Sequence, residues 1–187
     1  MAKVCFIMVG VSGSGKSTTM SRIKKIAGDG LHMVFSLDDC RIRFLMSKPG
    51  MVSDLDDEKS IYKMAFQHAN DNQKEFDAFV NEWWDKCLAA DILFVDNTNL
   101  TRKSRARWIQ DARSKKFTIW GVEMMTPLDT IISRQSTRTD KTVPESVVRD
   151  MYMRQQSLMV GDEVDFLVVV DGTKTEQQLE GILFRAD

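Results

Sequence analysis

The sequence contains no run of 18 or more apolar residues, which excludes a membrane-spanning helix. It is also poor in the residues that build zinc or disulfide frameworks. There are three cysteines, an odd number without metal-ligand spacing, and two isolated histidines, His32 and His68. Cys5, Cys40 and Cys87 are therefore expected to be buried or incidental thiols in a reducing compartment. A basic surplus is missing as well. The formal net charge is −1, whereas a protein that coats long nucleic acid carries an excess of cations. No internal repeat, low-complexity tract or linker interrupts the chain. The apolar stretch at residues 4–9 lacks the flanks and cleavage site of a signal peptide. The expectation is one domain over residues 1–187 in the cytoplasm.

What is present is the composition of an ordinary globular protein, 43% hydrophobic and 28% charged, with enough length to bury a core. Charge is unevenly placed. Asp54, Asp56, Asp57, Glu58, Asp71, Glu75, Asp77, Glu82, Asp85 and Asp91 make an acidic middle. Arg102, Lys103, Arg105, Arg107, Arg113, Lys115 and Lys116 follow with only Asp111 against them. That segment is either a local basic face or a solvated helix surface.

Hydrophobic patterning predicts strands at residues 4–9, 33–37, 92–95, 118–124 and 166–170, each a short apolar run of the kind found in a parallel sheet. Helices are expected at 17–27, stopped near Gly28 and Gly30, and over 58–88, broken near 70–72. Further helices are expected at 102–115, at 127–135 with Thr126 opening it, from Pro144 to about residue 158, and at 176–183. Strands alternating with helices imply an α/β fold, a mainly parallel five-stranded sheet with helices on both faces. The polar stretch beyond residue 135 breaks the pattern and reads as a lid over about residues 134–143.

Gly10-Val11-Ser12-Gly13-Ser14-Gly15-Lys16-Ser17 fits G-x-x-x-x-G-K-[ST] in full, directly after a buried strand and before a helix. Glycines permit the backbone to turn successive N–H groups toward one anion, and the helix adds its positive dipole end. Gly10, Ser12, Gly13, Ser14, Gly15, Lys16, Ser17 and Thr18 are thus the candidate site for the phosphates of ATP or another NTP. Lys16 is expected to reach the β and γ phosphates, and the Ser17 hydroxyl to ligate Mg²⁺.

In open α/β sheets the second substrate lies at the carboxyl ends of the strands. The second strand runs into Asp38-Asp39-Cys40-Arg41. A carboxylate there can act as general base toward an attacking hydroxyl, or Asp38 or Asp39 can cap the following helix. Arg41 lies on the same helical face as Asp38 and can fork onto a phosphate. The third strand runs into Asp96-Asn97-Thr98-Asn99, polar groups suited to hold metal, water or acceptor, or simply a turn. Arg134 and Arg138 bracket the lid, where Arg138 can stabilise charge on a transferred phosphoryl group.

With these motifs in this order the chain resembles the kinase domain of bacteriophage-type polynucleotide 5′-kinases, within the P-loop kinase superfamily. The resemblance runs over nearly the whole chain. It rests on residues 10–17, Asp38-Asp39-Cys40-Arg41, Thr98-Asn99-Leu100, Arg134 to Arg138, Val143-Pro144 and Met151-Tyr152. It implies transfer of the ATP γ-phosphate to the 5′-hydroxyl of DNA or RNA in nucleic-acid repair, with a nucleic-acid ligase as a partner. It also implies that Asp38 is the general base, that Arg41 holds the phosphate 3′ of the acceptor nucleoside, and that Asn97, Thr98 and Asn99 lie on the acceptor side. Lys16 and Ser17 would bind the β phosphate and its metal, Arg138 would clamp the donor phosphates, and Arg134 would lie near the donor base.

Two features depart from that family. Asn97 stands where an Asp precedes Thr-Asn-Leu, with Asp96 one residue earlier. The phosphatase domain of the phage enzymes begins with Asp-x-Asp-Gly-Thr, but here Val169 occupies the nucleophile position and 14 residues follow Thr173, so no 3′-phosphatase activity is expected. The competing readings are a small-molecule P-loop kinase acting on a nucleoside, sugar acid or antibiotic, and a non-catalytic nucleotide-dependent switch.

Overall fold

The apolar run after the N-terminus forms β1 (Lys3–Val9), the central strand of a five-stranded sheet, in a computed structural model that describes residues 3–26, 31–51, 57–138 and 143–173. The other strands are β2 (His32–Phe35), β3 (Ile92–Val95), β4 (Phe117–Met124) and β5 (Phe166–Val170), in the order β2-β3-β1-β4-β5. Every pairing is parallel. All five strands therefore deliver their carboxyl ends to one edge of the sheet, where the phosphate loop and the acceptor motifs emerge.

Seven described helices connect them: α1 (Lys16–Ile26), α2 (Leu37–Met46), α3 (Glu58–Asp71), α4 (Gln73–Cys87), α5 (Arg102–Ser114), α6 (Leu128–Ser136) and α7 (Glu145–Met153). Side chains alternate between the two faces of the sheet, as the pleat requires. Cys5, Ile7 and Val9 join Phe35, Leu93 and Val95 under α2, α4 and α5, against Phe44, Trp84 and Trp108. Phe6, Met8, Phe94 and Val122 lie on the opposite face against Met20 and Ile23 of α1. Trp84 sits at the centre of the first layer, its ring 4.8 Å from Phe35 and 5.0 Å from Trp108 in edge-on contact. Its indole N–H donates to Asp111 Oδ2 at 2.9 Å, which satisfies the one polar atom such a ring buries. Trp84 is a core residue.

The expected elements are found, with shifts that have local causes. The second strand ends at Phe35 rather than at residue 37, because Ser36 is an N-cap whose hydroxyl accepts from the Asp39 amide at 3.4 Å. Leu37 is thereby drawn into α2. Thr126 does not open α6: Pro127 occupies the cap position, and the Thr126 hydroxyl donates to the Ser14 carbonyl at 2.7 Å. Pro144 likewise precedes α7 instead of entering it, and that helix stops at Met153, short of residue 158. Residues 154–164 instead wrap around Arg105. The glycine stop after α1, the closing helix at 176–183 and the middle of the lid lie outside the described residues. Among the described residues, no helix is long and apolar enough to cross a membrane. All three cysteines are buried and free. Burial drives the Cys40 thiol up to about 12 and Cys87 to about 11.

The basic segment is largely neutralised. On α5, Arg102 pairs with Asp162 and Glu163, Arg107 with Asp111, and Arg113 with Asp165. Arg105 is fully buried. Its Nε and Nη2 fork onto Glu163 at 2.7 and 2.9 Å, and its remaining donors reach the carbonyls of Asn99, Gln156 and Ser157. This residue fastens the 154–164 segment to the turn after β3. Burial acts to raise the Glu163 pKa, but the hydrogen bonds and charge of Arg105 outweigh it, so the carboxyl titrates below its ordinary value.

Removing one partner of such a pair strands the other. Arg105→Ala is expected to lower stability by about 3–5 kcal/mol, with Arg105→Ala combined with Glu163→Ala less damaging than the single change. Because the folded carboxyl has the lower pKa, its contribution is complete above the ordinary carboxylate range and disappears as pH falls through the folded value. Urea unfolding at neutral and acidic pH reads both effects.

Candidate functional site

At the end of β1 the chain turns sharply into residues 10–17. The loop is tied to the next strand from its first residue, as the Gly10 amide donates to the Thr98 carbonyl at 3.0 Å. Gly13 has φ +89°, and a Cβ there would lie 2.9 Å from Gln135 Nε2. That close approach is used: Gln135 Nε2 donates to the Ser12 carbonyl at 2.7 Å, which staples α6 to the loop. Lys16 folds back along the rim, its ammonium donating to the carbonyls of Gly10 (2.9 Å) and Val11 (3.1 Å). α1 begins at Lys16, so its positive end lies at the same place.

A cleft of about 860 Å³ opens beside the loop. On the donor side it is lined by Ser12, Gly13, Gly15, Lys16, Ser17 and Thr18. The Ser17 hydroxyl faces Asp96 Oδ2 at 3.5 Å. These are two hard oxygen donors of the kind Mg²⁺ prefers, so the residues fit the ion that the motif implies. Across the mouth, Arg138 Nη1 donates to Ser12 Oγ at 3.2 Å, and Arg134 donates to the carbonyls of Gly13 (3.4 Å) and Gly172 (2.7 Å). Both arginines are thus brought to the loop, Arg134 from within α6, which runs into the expected lid as far as Ser136, and Arg138 from just beyond it.

On the opposite wall, Ser36 takes the capping position of α2, which leaves Asp38 and Asp39 in the first turn with their carboxylates uncommitted to capping. Asp39 turns outward to Arg43 at 2.6 Å. Asp38 and Arg41 both line the cleft and pair at 2.8 Å. Asn97 Oδ1 accepts from the Leu37 amide at 2.8 Å, fixing the start of α2 to the exit of β3. The Asn97 Nδ2 and Arg41 Nε atoms are buried without a hydrogen-bond partner. Orphaned donors of this kind are uncommon in folded proteins.

Most sequence-expected residues converge on this cleft, including Asn97, Thr98 and Arg134. Three stand behind its wall. Gly10 and Ser14 underlie the loop, where Ser14 is buried and its amide donates to the Val11 carbonyl. Asn99 is buried with φ +49°, and its amide donates to the Met8 and Val95 carbonyls at 2.8 and 3.3 Å. It ties β1 to β3 rather than facing the cleft. Sequence reasoning missed Tyr62, Phe66, Gln135 and Gly172. The first two share one helical face at a spacing of four, a signal present in the sequence; Gly172 was legible only as a turn. In that turn Thr173 N donates to Asp171 Oδ1 at 2.9 Å.

Charge in the cleft is opposite to that of the chain. Lys16, Arg22, Arg41, Arg134 and Arg138 line it against the carboxylates of Asp38 and Asp96. A protein with net charge −1 therefore offers a cationic pocket, suited to phosphorylated ligands.

A family model described as an AAA domain matches residues 5–158. No curated protein matches the sequence. Solved structures share the fold at low identity. A fungal RNA kinase is 14% identical with a TM-score of 0.57, covering 98% of this chain and 82% of its own. A gluconokinase from Sinorhizobium meliloti is 15% identical with a TM-score of 0.52, covering 98% of each. The tunicamycin resistance protein of Deinococcus radiodurans is 15% identical with a TM-score of 0.54, covering 96% of this chain and 93% of that one. At such identities these likenesses show the fold alone, an α/β P-loop kinase fold.

Gly172 generates a test of how the loop is supported. A Cβ at this position would collide with the Thr126 hydroxyl and the Ser14 carbonyl. Gly172→Ala is expected to destabilise the protein by about 1–3 kcal/mol and to weaken ATP binding. Thermal unfolding with and without ATP, followed by calorimetric titration, measures both.

Proposed function

The chain belongs to the AAA domain family, and from that premise we propose that it is a polynucleotide 5′-kinase, transferring the γ-phosphate of ATP to the 5′-hydroxyl end of DNA or RNA. The observation that carries this reading is the Asp38–Arg41 pair, held at 2.8 Å on the wall facing the phosphate loop within one cleft. A hydroxyl acceptor needs a base, and Asp38 supplies a carboxylate. An acceptor bearing its own phosphate needs a cation, and Arg41 supplies one. Arg41 commits Nη1 to Asp38, while its planar fork carries five N–H donors in all.

In this reading the acceptor oxygen forms the new bond to the γ-phosphorus as the bond to the ADP oxygen breaks, and the acceptor proton passes to Asp38. Lys16 and Arg138 hold the negative charge that spreads over the phosphoryl oxygens. Ser17, with Asp96 beside it, would hold Mg²⁺, whose charge would neutralise that of the phosphates. Asn97 and Thr98 are assigned to the acceptor side; the role of the family Asp goes to Asp96, beside Ser17, while Asn97 holds the start of α2. Arg134, at the Gly13 and Gly172 carbonyls, is assigned to the donor base on the strength of the resemblance. A DNA or RNA end is the partner, and a ligase acting on the 5′-phosphate product would follow it in repair. A small-molecule acceptor is the second reading, and the pairing of the α5 arginines with carboxylates favours it, since it weakens the basic face that a long nucleic acid would use.

Asp38→Asn should reduce turnover by about a thousandfold or more while leaving ATP affinity nearly intact. Arg41→Ala should raise the acceptor KM by about tenfold or more for substrates with a 3′ phosphate and change it little for a free nucleoside. Steady-state kinetics on nucleoside 3′-phosphates and nucleosides checks both, and an unchanged KM for the phosphorylated acceptor contradicts the assignment of Arg41.

A further inference from the structure

α2 packs chiefly against α3, and the face it meets presents Tyr62 and Phe66, a spacing that places both on one side of the helix. Both line the cleft. The Tyr62 hydroxyl donates to Asp38 Oδ1 at 3.2 Å. The Phe66 ring lies 5.2 Å from the centre of the Arg41 guanidinium. Each of the two functional side chains of α2 is thus backed by one aromatic residue of α3. Asp38 Oδ1 accepts from Arg41 Nη1 at 2.8 Å as well as from Tyr62. Two donors, one charged and one neutral, therefore converge on that oxygen.

We propose that Tyr62 is a positioning residue for the Asp38 base, holding Oδ1 together with Arg41 and so fixing the orientation of the carboxylate toward the acceptor. The proposal rests on the reading of Asp38 as the base. Tyr62 is suited to the task because it stays a donor over the working range: burial first, then the Asp38 charge and the hydrogen bond, push its pKa up to about 12. The charged and titratable groups beside the Asp38 carboxyl are Arg41 on its own helix and Tyr62 on α3, with Asp39 of the same turn directed outward to Arg43. Across the same cleft stand Lys16, Asp96 and Arg138. Of these, only Tyr62 is a neutral donor on the carboxylate, so its removal alters hydrogen bonding without altering net charge.

The test is the pH dependence of kcat for Tyr62→Phe, which keeps the packed ring and deletes the hydroxyl. A carboxylate that loses a donor becomes more basic. The acid limb should move up by about half to one pH unit and the plateau kcat should fall by about tenfold, with acceptor KM changed less than about twofold. Phe66→Leu should instead raise the acceptor KM and leave the limb in place. An acid limb unmoved in Tyr62→Phe, whether or not kcat falls, overturns the proposal while leaving the base reading intact. Substantial turnover by Asp38→Asn overturns the base reading and the proposal with it. Tyr62→Met, also lacking the hydroxyl, supplies the same comparison should the Phe variant fail to fold.

Discussion

The hydrogen bond from the Leu37 amide to Asn97 Oδ1 fixes how the two halves of the cleft stand relative to each other. The donor half is rigid by virtue of β1, whose end becomes the phosphate loop. The acceptor half is carried on α2, a ten-residue helix that could pivot about its first turn if only side-chain packing held it. Asn97 prevents this by joining the first amide of α2 to the exit of β3, while the Gly10 amide bonds the neighbouring Thr98 carbonyl. One short segment, residues 96–98, therefore carries the Asp96 carboxylate and holds helix and loop together. The orientation of the amide follows from its partner: its oxygen must face the Leu37 N–H, so its NH₂ points elsewhere.

Electrostatics follow the same economy. The chain as a whole is slightly acidic, and the arginines of α5 are paired with carboxylates, Arg105 in the interior and Arg102, Arg107 and Arg113 at the surface. Positive charge is gathered around the phosphate loop, with Lys16 at the start of α1 and Arg134 and Arg138 beside the loop. A cleft of this kind grips one or a few phosphates. It would give binding with a shallow salt dependence, because few counterions are released.

Much of the architecture was legible because buried parallel strands are short apolar runs, and β3 and β5 fall where the sequence predicts them. Boundaries failed where a polar side chain chose a partner distant in sequence. Thr126 reads as a helix cap yet bonds Ser14, and Asn99 reads as an acceptor ligand yet stitches two strands from a left-handed backbone position. Arg105 looked like one charge in a basic run; only the return of residues 156–163 shows it as a buried fork. The donor site was readable because one contiguous motif builds it. The opposite wall of the cleft was readable in part, since Asp38 and Arg41 share a turn, whereas Tyr62 reaches Asp38 from another helix.

The central claim is that the acceptor is a nucleic-acid end. The most direct measurement is transfer from γ-labelled ATP, in competition, to 5′-hydroxyl oligonucleotides of DNA and RNA, to free nucleosides and to gluconate. The account predicts that label accumulates on the oligonucleotide 5′ ends at least about a hundredfold more efficiently, as kcat/KM, than on nucleosides. Equal labelling of nucleosides, or preferential labelling of gluconate, would contradict it.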